Sequence, residues 1–92
     1  MKIVVLDGAK IKSVSEFHDV FAEALGFPAY YGRNLDALYD LLTDSNEKIT
    51  VISISTDTLE DTLGKKWDAF LRMIDDLKSD GETYISDKVE RS

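Results

Sequence analysis

Apolar residues recur along this chain either in short unbroken runs or every three to four positions, and the switch between the two marks its elements. Lys2 to Leu6 (KIVVL) is an apolar run of strand length, and Asp7-Gly8 ends it with a turn signal. Ser13 to Glu16 reads SVSE, a capping box with Ser13 as N-cap and Glu16 at the third helical position. Val14, Phe17, Phe21, Ala24 and Leu25 then repeat at helical spacing, and Gly26 stops the helix. Phe27 to Arg33 is a loop. Asn34 is a good N-cap for a second helix, whose apolar stripe is Leu35, Leu38, Leu41 and Leu42. Asp44 to Asn46 is turn-like.

The second half repeats the scheme. Ile49 to Ile54 (ITVISI) is β-branched and apolar at nearly every position, which suits a strand buried on both faces. Asp57 to Leu63 predicts one or two helical turns closed by Gly64. Lys65 to Ser79 predicts a helix with Trp67, Phe70, Leu71, Ile74 and Leu77 on one side, ended by Asp80-Gly81. Thr83 to Ser86 is a short last strand, followed by a polar tail, DKVERS. Strands separated by helical crossovers pair in parallel. The predicted fold is therefore α/β: one domain over residues 1–92, with a three-stranded parallel sheet in the order 1-2-3. About four helices pack mainly on one face, because right-handed crossovers put both helical pairs there.

Composition narrows the class. The chain has 92 residues, enough for one modest core, and no cysteine, which removes a disulfide scaffold, a thiol nucleophile and a cysteine zinc site. The opening MKIVVLDGAK is too short an apolar stretch for a signal peptide, and no run approaches the ~20 apolar residues of a membrane span. A cytoplasmic protein without a membrane partner is expected. The formal net charge is −7, so a nucleic-acid backbone would be repelled and a basic protein attracted. No long apolar surface stripe is left over, so the free protein is expected to be a monomer.

The charges are not evenly spread. Asp36, Asp40 and Asp44 lie at i, i+4 and i+8 and stack on one helix side. Asp36 sits in the first turn, where the helix dipole favours a carboxylate. Asp40 has no such local reason. It is mid-helix, a like charge lies four residues before it, and no cation stands three or four residues away. Asp75 and Asp76 lie near the C-terminal end of a helix, where the dipole disfavours them, although Arg72 and Lys78 offset this in part. Tyr30 and Tyr31 precede the acidic helix. One reading makes a tyrosine there a core anchor with a hydrogen-bonded hydroxyl, the other an exposed binding platform. Gly32 suits a tight or positive-φ turn, or close approach of a partner to the backbone.

Catalytic chemistry finds little support. Two carboxylates on successive turns of one helix make a ridge, whereas acid–base catalysis needs a cleft. His18 is the single histidine and reads as structural or surface. No glycine-rich phosphate loop is present, and three aspartates on one helical face give poor octahedral geometry for Mg²⁺. Trp67 belongs to an apolar stripe. No catalytic residue, metal or cofactor is expected.

The stretch Pro28 to Asp40, PAYYGRNLDALYD, resembles the signature P-x-Y-Y-G-x-N-L-D-A-L-x-D of the barstar family, intracellular inhibitors of a secreted bacterial ribonuclease. The resemblance extends more weakly over nearly the whole chain. It implies a basic extracellular, barnase-like ribonuclease as partner, with the acidic helix and the loop before it placed over the nuclease active site. Tyr30 would pack against a nuclease histidine, and Gly32, Asn34 and Leu35 would supply loop and backbone contacts. Asp36 and Asp40 would be the main anchors, Thr43 a lesser contact and Asp76 a peripheral acidic one. Tyr39 stands where the best-known member has tryptophan, Asp44 extends the acidic row, and Arg33 replaces an acidic residue. The alternative is a non-enzymatic binding module of the same fold engaging another basic protein or toxin.

Overall fold

The computed structural model describes residues 2–44, 48–80 and 85–90, with the backbone alone for 80 and 85–90. Its elements run β1 (Lys2–Asp7), α1 (Val14–Leu25), α2 (Leu35–Asp44), β2 (Ile49–Ile54), α3 (Thr56–Leu63), α4 (Lys65–Asp80) and β3 (Ile85–Glu90). The strands pair in parallel in the order β1-β2-β3, with Val4 opposite Val51 and Val51 opposite Asp87. The last strand lies later than the expected Thr83 to Ser86 and takes in most of the segment read as a polar tail. β2 offers six residues of backbone along that edge, and main-chain pairing to it requires no apolar pattern. Residues 81–84, with Gly81 and the expected strand start at Thr83, lie outside the described residues.

The expectation for β2 is corrected. Ile49, Val51 and Ser53 are buried, while Thr50, Ile52 and Ile54 are only half-buried. Neighbouring β1 shows the same division: Val4 and Leu6 are fully buried, and Ile3 and Val5 are about half exposed at 51% and 46%. The second face of the sheet is left open, so an apolar patch remains where the sequence suggested none.

The core lies on the covered face. Phe17 and Phe21 of α1 meet Phe70 of α4 edge to face at 5.1 and 5.7 Å, and Trp67 stacks on Phe70 at 5.6 Å. These rings join the first and last helices, and aromatic pairs add about 0.5–1.5 kcal/mol each beyond their buried area. Leu38 and Leu42 bring α2 into the same cluster, and Leu59 and Leu63 bring α3. Leu35, Leu41 and Leu71, which belong to the expected stripes, only half-bury at its margin.

The helix ends follow the sequence closely. Ser13 Oγ accepts from Glu16 N–H at 3.1 Å. Glu16 reaches back past Ser13, and its Oε1 accepts from Lys12 N–H at 2.7 Å. Gly26 adopts φ 67°, and its N–H donates to the Ala22 carbonyl. At the end of β1, Gly8 is buried, and its N–H donates to Ile54 O at 3.0 Å. A β-carbon on Gly8 would overlap the Ser55 carbonyl oxygen and crowd Leu59 N–H. Replacing Gly8 by Ala should therefore cost about 1–3 kcal/mol, since backbone must move to admit it. Urea unfolding of the two proteins measures this; equal midpoints would mean that the strand end does not press on the start of α3.

Candidate functional site

All the residues singled out in the sequence as partner contacts except Asp76 form one strip that begins in the loop before α2 and runs along that helix. The two tyrosines divide the roles between them. Tyr31 is buried at 5% exposure, whereas Tyr30 is 86% exposed, the most open large apolar side chain described. Tyr31 N–H donates to Pro28 O at 3.0 Å, which turns the chain, and its ring packs on Phe27 at 4.9 Å.

Two consecutive residues of α1 fix this loop. His18 Nδ1 and the Tyr31 hydroxyl lie 2.6 Å apart in a buried hydrogen bond. Next to it, Arg33 Nε donates to Asp19 Oδ1 at 2.8 Å, with both side chains about half exposed. The exposed pair contributes at most about 1 kcal/mol. The buried one matters more, because losing either partner strands a polar atom at a cost of about 1–3 kcal/mol. His18 falls inside the apolar stripe of α1, four residues after Val14 and three before Phe21. That spacing was the legible sign of a buried histidine, while nothing in the sequence pointed to Asp19.

The backbone conformation expected at Gly32 occurs one residue later. Arg33 takes φ 50°, whereas Gly32 is not in the left-handed region. A non-glycine residue held there costs about 1–3 kcal/mol. What Gly32 supplies is space: a β-carbon would stand 3.1 Å from Asn34 Nδ2, which donates to the Gly32 carbonyl at 3.3 Å. Asn34 Oδ1 accepts from Ala37 N–H at 2.8 Å and so caps α2.

On α2, Asp36, Tyr39, Asp40, Thr43 and Asp44 are exposed and Leu35 is half-buried. Asp44 is the last residue of the helix, not part of a turn, so all three carboxylates share one helical ridge. Among the described residues none of the three has an ion-pair partner. The last turn of α2 contains no basic residue, leaving Asp44 at the unfavourable end of the dipole. The Thr43 hydroxyl is turned back onto the carbonyls of Tyr39 and Asp40, at 3.0 Å from each. Asp76 is exposed on α4 and does not belong to the continuous strip, although α2 and α4 touch.

The strip follows the exposed side of α2, opposite the buried Leu38 and Leu42. The groove beside α4 is lined by Leu71, Arg72, Ile74, Asp75 and Lys78 and includes none of the strip residues. Among the described residues, no group of three or more carboxylates and imidazoles could hold a metal ion, and no helix is long and apolar enough to cross a membrane. An exposed tyrosine, followed by exposed carboxylates one helical turn apart that have no ion-pair partner among the described residues, can bind a cationic surface.

Burial lowers the pKa of His18 from its ordinary value of 6.5, helped by the positive charges of Lys66 and Arg33 and opposed by Asp19. Burial likewise pushes Tyr31 up to about 12, with Arg33 pulling the other way. The fold thus favours a neutral ring at His18. The stabilisation this gives is fully present above pH 6.5 and is lost as pH falls from there through the lowered folded-state value. Thermal melting between pH 7.5 and 5 should show a stability loss that is absent, beyond the carboxylate contribution, from His18→Gln. Parallel pH slopes for the two proteins would contradict this.

The family described as "Barstar (barnase inhibitor)" matches residues 1–88. A Bacillus subtilis (strain 168) protein named "Putative ribonuclease inhibitor YrdF" is 46% identical over 43 residues, 47% of this chain and 47% of that relative. The match thus spans about half the length of each protein.

Proposed function

The chain belongs to the barstar family, and we propose that it inhibits a basic, secreted ribonuclease by laying α2 and the preceding loop over the nuclease active site. The observation that carries this reading is the row Asp36, Asp40, Asp44, which is exposed and without ion pairs among the described residues. Such a row costs its own helix a few tenths of a kcal/mol per like-charge pair. A partner that supplies cations turns that cost into attraction.

A ribonuclease must expose cations to bind and cleave a phosphodiester chain. Carboxylates on successive helical turns offer those cations oxygen acceptors in place of phosphate oxygens, with charge-assisted hydrogen bonds that favour Arg, Lys and protonated His. Asp40, at the centre of the row, would enter the phosphate site, with Asp36 one turn before it and Asp44 one turn after. Tyr30 offers a ring face to a nuclease histidine, and Tyr39 and Leu35 supply apolar contact beside the anchors. Gly32 and Asn34 would supply loop and backbone contacts, Thr43 a lesser contact at the helix end, and Asp76 a peripheral negative charge. The chain provides no catalytic group; it acts by occupying the groove. A cytoplasmic location would protect the producing cell from the enzyme before its export.

The surrounding field assists encounter. A net charge of −7 attracts a basic protein over a Debye length of about 8–10 Å at ordinary ionic strength.

Purified protein should abolish RNA cleavage by a barnase-type ribonuclease at stoichiometric ratios. Asp36→Ala and Asp40→Ala should each weaken binding by at least about 2 kcal/mol, roughly thirtyfold, while melting temperatures stay within a degree or two of wild type. Unchanged affinity in both variants would place the contact surface elsewhere. Capture of a basic protein without nuclease activity as the sole tight partner would favour a binding module directed at another target. Stopped-flow association should slow steeply as salt rises, and a salt-independent rate would remove the steering role of the net charge.

A further inference from the structure

From Tyr30 to Asp44 the strip holds three carboxylates and a single cation, Arg33. Apart from its exposed ion pair with Asp19, local folding gives little reason for an arginine at that position. Its φ of 50° lies in a region that glycine or asparagine adopts more readily. The side chain is about half exposed and is held from one side, by Nε donating to Asp19 Oδ1 at 2.8 Å. That bond uses one of the five N–H groups of the guanidinium. It also orients the planar group and leaves the N–H groups of the two terminal nitrogens without a partner among the described residues, on a side chain that is 48% exposed. The planar fork of a guanidinium matches a planar oxyanion, which it can grip with two parallel hydrogen bonds.

The neighbouring charges decide which oxyanion. A phosphate chain would have to approach past Asp36 and Asp40 and is repelled by the strip as a whole. A single carboxylate on an otherwise basic protein meets no such barrier, since its cationic neighbours face those aspartates while the carboxylate faces Arg33.

We propose that Arg33 is a specificity-determining residue whose guanidinium, oriented by Asp19, pairs with a carboxylate on the rim of the partner ribonuclease's active-site groove. The inference rests on the reading of this strip as a ribonuclease-binding surface. Arg33 selects among basic ribonucleases that present similar catalytic cations: an acidic residue at the facing rim position is accepted, and a lysine or arginine there is rejected by like charge.

The test uses a panel of purified small basic secreted ribonucleases, barnase among them, with affinities measured by inhibition of RNA cleavage. Against the member that wild type binds most tightly, Arg33→Ala should raise Kd at least about tenfold, and Arg33→Glu further. Asp19→Asn, which keeps the charge at position 33, should lose less than Arg33→Ala. The double exchange Asp19→Arg with Arg33→Glu rebuilds the internal ion pair with its polarity inverted and should stay weak. Changing the acidic rim residues of that ribonuclease to lysine one at a time should identify one variant that restores binding of Arg33→Glu at least tenfold. Wild-type affinity in the double exchange would show that only the internal clamp matters and would overturn the proposal, as would an Arg33→Ala protein that binds like wild type. A wild-type protein that inhibits no ribonuclease in the panel would instead overturn the reading of the strip itself.

Discussion

The buried hydrogen bond between His18 and Tyr31 is the contact on which the proposed binding edge depends. A loop that displays an aromatic ring and ends in a helix cap needs an internal anchor, or it explores many orientations and pays their entropy on binding. Tyr31 is that anchor. With its hydroxyl fixed on α1 and its ring against Phe27, the preceding residue has nowhere to go but outward, and Tyr30 stands in solvent. The next residues follow from the same constraint. Gly32 leaves room for the Asn34 amide, Asn34 caps α2, and α2 sets the spacing of the carboxylates.

The two clamps on this loop differ in kind. His18 and Tyr31 work in the core, where geometry is rigid and a missing partner is costly. Asp19 and Arg33 work at the surface, where the ion pair adds little stability but orients a charged group. Adjacent residues of one helix thus divide stability from presentation. α1 is itself held to α4 through Phe17, Phe21 and Phe70, so the edge is continuous with the best-packed part of the molecule. The open face of the sheet, with Ile3 and Val5 exposed, lies apart from this chain of support.

Much of the fold was legible because local signals agreed with tertiary demands. The capping box at Ser13, the Asn34 cap and the apolar stripes of α1, α2 and α4 each stated a boundary or a face. What stayed hidden was decided by residues distant in sequence. A β-branched run such as ITVISI reads the same whether helices cover one side of it or both. β3 pairs through its backbone at a sheet edge, so its polar side chains disguised it. The acidic strip was visible as spacing, and its exposure followed from Leu38 and Leu42 on the opposite side of α2. The clamps were not visible, because they join residues 13 and 14 positions apart. The left-handed conformation at Arg33 was hidden by the glycine beside it, the natural candidate for that role.

In the proposed complex the carboxylate ridge fills the phosphate-binding groove of a ribonuclease. Competition with a nucleoside 3′-phosphate bound at the nuclease active site tests it most directly. Titrating the protein into the ribonuclease at rising nucleotide concentration should raise the apparent Kd in proportion to the nucleotide, with no limiting value. A plateau, or a ternary complex holding both nucleotide and inhibitor, would contradict the account.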